Sequence, residues 1–208
     1  MVSIWALAAT LGHAAANQDF KQRVTVYTDW RDSSNDVTAT LAKGMASQMF
    51  AEAGVRLTWR LGQPRADEVE QAIVIQITSK TPAALQPGAL AYAEPFEGVH
   101  IRVFYDRIQA IGESRSRGFG ESRFTQILLA HVLVHEITHI LQGTARHSPQ
   151  GIMKAHWTPG DLLEMARHPL PFDPSDVDLI HLGLANRGRV ATRTLLATSV
   201  VPSATPAR

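Results

Sequence analysis

The chain is 208 residues long, enough for one domain with a proper core. Its 20 basic and 19 acidic side chains nearly cancel, which argues against a nucleic-acid footprint or a polybasic membrane surface. There is no cysteine, so disulfides, thiol nucleophiles and thiolate metal sites are excluded, and any metal must sit on histidines and carboxylates.

Met1 to Ala16 (MVSIWALAATLGHAAA) carries no Asp, Glu, Lys or Arg, is apolar from Val2 to Leu11, and ends with Ala14 and Ala16 placed like an A-x-A cleavage site. This pattern is that of a secretory signal peptide and predicts a secreted or periplasmic protein; a buried N-terminal helix is the alternative. No later apolar run is expected to reach the roughly 20 residues that span a bilayer, so no membrane span is expected in the mature chain. Residues 17–187 are expected to form the domain. Val24 to Tyr27 alternates like a half-buried strand, and Ser33 to Asp36 (SSND) offers helix N-caps. Val37, Leu41, Met45 and Met49 follow at steps of four as an apolar helical stripe, closed by Gly54. Val55, Leu57, Trp59 and Leu61 then alternate with polar residues as a strand. Strand, helix and strand in this order predict a crossover between parallel strands.

Ile73, Ile75 and Ile77 mark a third strand, Ala89 to Ala93 a short one, and Val99 to Tyr105 a longer one. Gly112 to Glu121 (GESRSRGFGE) reads as a polar loop. The longest helical signal runs from Ser122 to Gln142, and further helices are expected from Pro159 to Arg167 and from Pro174 to Asn186. Residues 188–208, rich in Ala, Thr, Ser, Pro and Arg without an amphipathic period, are expected to be disordered.

The chemistry is concentrated in His135-Glu136-Ile137-Thr138-His139. Residues i and i+4 share a helix face, so His135 and His139 point two imidazoles at one place. Zinc accepts neutral imidazole and needs a third protein ligand with one position open for water. Glu136, beside the first ligand, can take a proton from the attacking water and pass it to a leaving amine. The flanking sequence (Ile127, Leu128, Leu129, Val132, Leu133, Val134) is strongly apolar. Burying two histidines and a glutamate there without partners would cost several kcal/mol. Cation, geometry and base together point to metal-assisted hydrolysis.

The run HEITHILQGTARHSPQGIM, from His135 to Met153, resembles the extended zinc site of the metzincin clan of metallopeptidases, whose pattern is HExxHxxGxxH followed by a methionine-bearing tight turn. By that resemblance His135, His139 and His147 hold one zinc ion, Glu136 is the general base, Gly143 makes the bend and Met153 is the Met-turn residue. His147-Ser148 is similar to the matrixin branch. The glycine and third histidine fall one and two residues later than in the clan pattern. Glu164, as in the gluzincin arrangement, and His156 are rival third ligands. His131 reads as a hydrogen-bonded packing histidine, and His100, His168 and His181 as surface or packing residues.

The resemblance implies an α+β fold: a mixed twisted sheet of about five strands with a crossover helix, an active-site helix, a Met-turn and C-terminal helices. It also implies a zinc endopeptidase acting on a peptide or protein substrate laid along an edge strand, for which Ala89, Leu90, Ala91, Tyr92 and Ala93 are the best candidates. Tyr92, Tyr105 and His156 are open candidates for stabilising the oxyanion. The alternative is a catalytically silent zinc domain binding a protein partner in its cleft; a purely structural site has no need of Glu136.

Overall fold

The computed structural model describes residues 22–30, 37–69, 72–82, 84–85, 88–93, 99–115 and 121–199, and for 121–122 and 190–199 the backbone alone. The expected signal peptide (1–16), the expected caps at Ser33 to Asp36 and residues 200–208 lie outside the described residues. The elements are β1 (Gln22–Trp30), α1 (Val37–Glu52), β2 (Val55–Leu61), β3 (Ile73–Thr78), β4 (Ala91–Ala93), β5 (His100–Phe104), α2 (Tyr105–Arg115), α3 (Glu121–Gln142), α4 (Pro159–Met165) and α5 (Pro174–Ser199).

The strands form one mixed sheet in the order β2-β1-β3-β5-β4. β1 pairs parallel with both β2 and β3, and β3 parallel with β5. β4 alone runs antiparallel, on β5, and forms the edge. Period-two alternation puts Val24, Val26, Ile73, Ile75, Ile101 and Val103 on one face, where they join α1 and α3 in a single apolar core. The other face carries a smaller cluster of Tyr27, Ala72 and Val74, and Tyr27 donates a 2.7 Å hydrogen bond to Glu68 across it.

α3 lies at the centre of the core. Its 22 residues span about 33 Å, and nearly every side chain from Phe124 to Leu141 is buried. By length and composition Arg123–Gln142 could cross a membrane, contrary to expectation, but 94% of the apolar window is buried inside the fold. Its apolarity is explained by the core it occupies.

Four other expectations are corrected. The buried face of α1 is Ala39, Ala42, Ala46, Met49 and Phe50, whereas Val37 and Leu41 are 65% and 47% exposed. Steps of four drift around a 3.6-residue helix, and small alanines let α1 approach α3 and the sheet closely. The presumed loop from Gly112 continues α2 to Arg115, and α3 already begins at Glu121. Gly112 is there for contact: a Cβ at that position would overlap the Thr125 hydroxyl on α3. α4 stops at Met165 rather than Arg167, where Ala166 forms its C-cap. Finally, α5 runs to Ser199, so the backbone of 188–199 is helical where disorder was expected. Its Ala, Leu and Arg content favours helix without needing an amphipathic period.

Candidate metal centre

The two histidines of the HEITH segment stand one turn apart on α3, with ring centroids 4.7 Å apart. Each ring is oriented by a backbone carbonyl. His135 Nδ1 lies 2.9 Å from the Ile152 oxygen, and His139 Nδ1 lies 3.0 Å from the Thr144 oxygen. A carbonyl only accepts, so both Nδ1 atoms carry the proton and both Nε2 atoms present bare lone pairs. Those two Nε2 atoms face each other at 3.1 Å. Two acceptors so placed repel unless a cation lies between them.

Burial favours the neutral, ligand-competent imidazole. It pulls His135 down to about 4, opposed by the bond to Ile152 and assisted by His139 and His147. Burial also lowers His139, opposed by the bond to Thr144. His147 comes to the same place from the loop after α3; the ligand atoms of His135, His139 and His147 all lie within 4.8 Å of one another. Its ring stacks on His135 at 5.3 Å and meets His139 edge-on at 4.9 Å. His147 is also depressed, by partial burial and then by the nearby His156. Three converging imidazoles, two of them with tautomers fixed by backbone carbonyls, suit zinc, a divalent cation of borderline softness.

The loop that delivers His147 is shaped by glycine. Gly143 takes φ 65°, and its N–H and that of Thr144 both donate to the His139 carbonyl, at 2.9 and 3.3 Å. This left-handed cap turns the chain back over the helix end, and so the spacing longer than the clan pattern still returns the third histidine. Further on, Gly151 (φ 70°) starts a tight turn closed by Lys154 N–H on the Gly151 oxygen at 3.4 Å. Ile152 and Met153 in this turn are fully buried. Ile152 N–H donates to the Pro171 oxygen at 3.0 Å, while its carbonyl accepts from His135.

Glu136 is 8% exposed. Burial pushes its carboxyl up to about 8, partly offset by a hydrogen bond from the Ala93 backbone. That bond joins the carboxylate to the edge strand. Phe104 N–H donates to Leu90 O at 2.8 Å, so in the β4–β5 register Tyr92 and Arg102 form the next bonded pair. The N–H and C=O groups of Ala91 and Ala93 therefore point away from β5, toward the edge of the sheet. The strand is shorter than expected: Ala89 and Leu90 precede it, and Ala89 is tied instead through its carbonyl to Arg107 at 2.6 Å.

The remaining candidates have other surroundings. The Glu164 side chain is 46% exposed, 3.9 Å from His168, and does not join the histidine group. His131 is fully buried: its Nδ1 bonds the Ile127 oxygen at 2.7 Å and its Nε2 accepts from Leu170 N–H at 3.1 Å. It is a satisfied packing histidine. The Tyr92 ring lies 5.9 Å from Phe104, under Arg102, and Tyr105 packs edge-on against Trp30. His156 is exposed beside His147. Sequence reasoning missed Trp157, whose ring abuts His135 at 5.5 Å and His131 at 6.3 Å. It also missed the carbonyls of Ile152 and Thr144, for which no side-chain signal exists.

No protein-family model matches the sequence, and no curated protein matches it. Solved structures do. Archaemetzincin from Methanopyrus kandleri superposes with a TM-score of 0.52 at 14% identity, over 83% of this chain and 99% of that one. The two folds are alike. A zinc-dependent peptidase from Methanocorpusculum labreanum gives the same TM-score and identity over 74% of this chain and 99% of its own. At this identity the likeness is one of fold. In this chain the HEITH helix, the third histidine and, through the Glu136–Ala93 hydrogen bond, the edge strand meet in one region.

Proposed function

We propose that the protein is a zinc-dependent endopeptidase whose metal is held by His135, His139 and His147. The observation that carries this reading is the pair of unprotonated Nε2 atoms facing each other at 3.1 Å, with His147 within reach and a buried Glu136 next in the chain. Zinc bound there would polarise a peptide carbonyl and acidify water.

The protein's own groups would do the rest. Glu136, whose carboxylate a bound dication would favour, would take the proton of the attacking water and return it to the leaving amine nitrogen. The burial that raises its carboxyl in the metal-free site strengthens it as a base. A carboxyl in water would sit too low to do both near pH 7. The outward N–H and C=O of Ala91 and the outward C=O of Ala93 offer a ladder on which an extended peptide can pair. Because Ala93 N–H also binds the Glu136 carboxylate, pairing and proton transfer would meet at one residue. Met153, buried in the turn whose Ile152 carbonyl orients His135, acts as the Met-turn residue of the metzincin-like site, with the matrixin-like His147-Ser148 pair at its third ligand. Residues 1–16 serve as an export signal, in keeping with a peptidase that works outside the cytoplasm.

The test is cleavage of an unfolded protein substrate by zinc-loaded chain. Activity lost on chelation and restored by returning zinc is expected. Cleavage indifferent to the chelator would remove the metal from the reaction, and a protein that holds zinc yet cleaves nothing would be a silent binding domain.

A further inference from the structure

The third ligand differs from the other two in how it is held. Carbonyl oxygens fix the rings of His135 and His139. Among the described residues no hydrogen bond orients the ring of His147, whose side chain is exposed. It lies two residues later than the clan spacing puts the third histidine, and each additional free residue costs entropy when the loop must hold one position. Something else must fix the backbone on which His147 rides.

Both sequence neighbours of His147 reach the same buried carboxylate. Arg146 Nη1 donates to Asp176 Oδ1 at 2.9 Å, and its Nη2 donates to Ser175 Oγ at 3.3 Å. The Ser148 hydroxyl, only 4% exposed, lies 2.8 Å from each carboxylate oxygen of Asp176. Ser148 N–H donates to the Met153 oxygen at 2.8 Å, which joins the same loop to the turn beneath His135. Asp176 is 1% exposed and stands in the first turn of α5, where the helix dipole favours a carboxylate. The end of α3 is tied in as well, because Gln142 Nε2 donates to the Asp176 carbonyl at 3.2 Å. A buried carboxylate of this kind is costly unless paired. Here its partners are the two residues flanking a metal ligand.

We propose that Asp176 is the positioning residue of the metal centre, clamping Arg146 and Ser148 to α5 so that His147 is presented to the ion. Asp176 is not one of the three converging ligands; it acts chiefly through the backbone of His147, with a smaller effect of its charge on His139. Zinc affinity and the docking of α5 against the ligand loop are therefore two readings of one coupling. This inference rests on the three-histidine metal site proposed above, but not on what the site cleaves.

The experiment measures zinc affinity of the full chain by competition with a chromophoric chelator, for the native protein and for Asp176→Asn, Ser148→Ala, His147→Ala and the double variant His147→Ala/Asp176→Asn. Outer-shell partners of metal ligands typically contribute 10- to 100-fold in affinity. Asp176→Asn is expected to weaken zinc binding by that order and Ser148→Ala by less, with far-UV dichroism unchanged. In the His147→Ala background Asp176→Asn is expected to cost far less, since the residue it positions is gone and only its charge on His139 is lost. Unchanged affinity in Asp176→Asn, or the same loss with and without His147, overturns the proposal. If Asp176→Asn does not fold, Ser148→Ala in both backgrounds decides by the same comparison. Failure of the metal site itself would show separately, as a His147→Ala variant that binds zinc as tightly as the native chain.

Discussion

Glu136 should make the metal-free protein less stable as pH rises, and Glu136→Gln should abolish the effect. The carboxyl titrates at its ordinary 4.5 in the unfolded chain and is pushed up to about 8 in the folded one by burial. Below pH 4.5 both states hold the proton and there is no contribution. Between 4.5 and 8 only the unfolded chain releases it, so ionisation pulls toward unfolding; above 8 the effect is constant. Each unit of difference is worth about 1.4 kcal/mol. The gap in stability between the Gln variant and the native chain should therefore widen from about 1 kcal/mol at pH 5 to about 3 kcal/mol at pH 7. Urea denaturation of both proteins in chelator, at pH 5, 6, 7 and 8, reads this gap directly. Comparing the two proteins cancels the histidines, which titrate in both. Saturating zinc should flatten the native profile, because a neighbouring dication favours the carboxylate. Parallel profiles for the two metal-free proteins would refute the claim that Glu136 is buried and uncharged.

His131→Leu should lower stability by about 1–3 kcal/mol, since the Leu170 N–H loses its acceptor in the core, while zinc stoichiometry stays at the native value; a lost zinc would make His131 a ligand. Because burial holds folded His131 at about 4 against 6.5 unfolded, the unfolded chain takes up a proton first as pH falls. The native protein should thus lose stability from pH 6.5 toward 4 more steeply than the variant in the same denaturation series. His147→Ala should weaken zinc binding strongly and Glu164→Ala should not; isothermal titration with zinc separates them, and a loss confined to Glu164→Ala would replace the third ligand. Gly151→Ala should cost more than about 2 kcal/mol by thermal melting, because a Cβ there meets the Pro171 carbonyl and φ is 70°. A melt unchanged from native would mean the turn is not built as described.

The chemistry was legible where it is local. The i, i+4 histidines and the glutamate between them need only the helix period, and the flanking apolar run announces a buried helix. β2 was read to its exact residues (Val55–Leu61), because alternation in a half-buried strand is a strong signal. What failed was what tertiary contact decides. The α1 stripe was misread because packing against α3 selected the alanines over Val37 and Leu41. Gly112 looked like a loop residue, although its missing Cβ is what lets α2 meet α3 at Thr125. The clamp at Asp176 joins residues 28 apart, and the carbonyls that set the histidine tautomers carry no signature in a side chain. The edge position of β4 likewise depends on which strand it pairs with, which three residues cannot declare.

The measurement that bears most directly on the account is digestion of a mixed peptide library by two proteins shown to hold equal zinc, the native chain and Glu136→Ala. The account predicts cleavage by the first, with defined subsite preferences, and none by the second. Equal cleavage by both would contradict it, since the base on which the mechanism turns would then be dispensable.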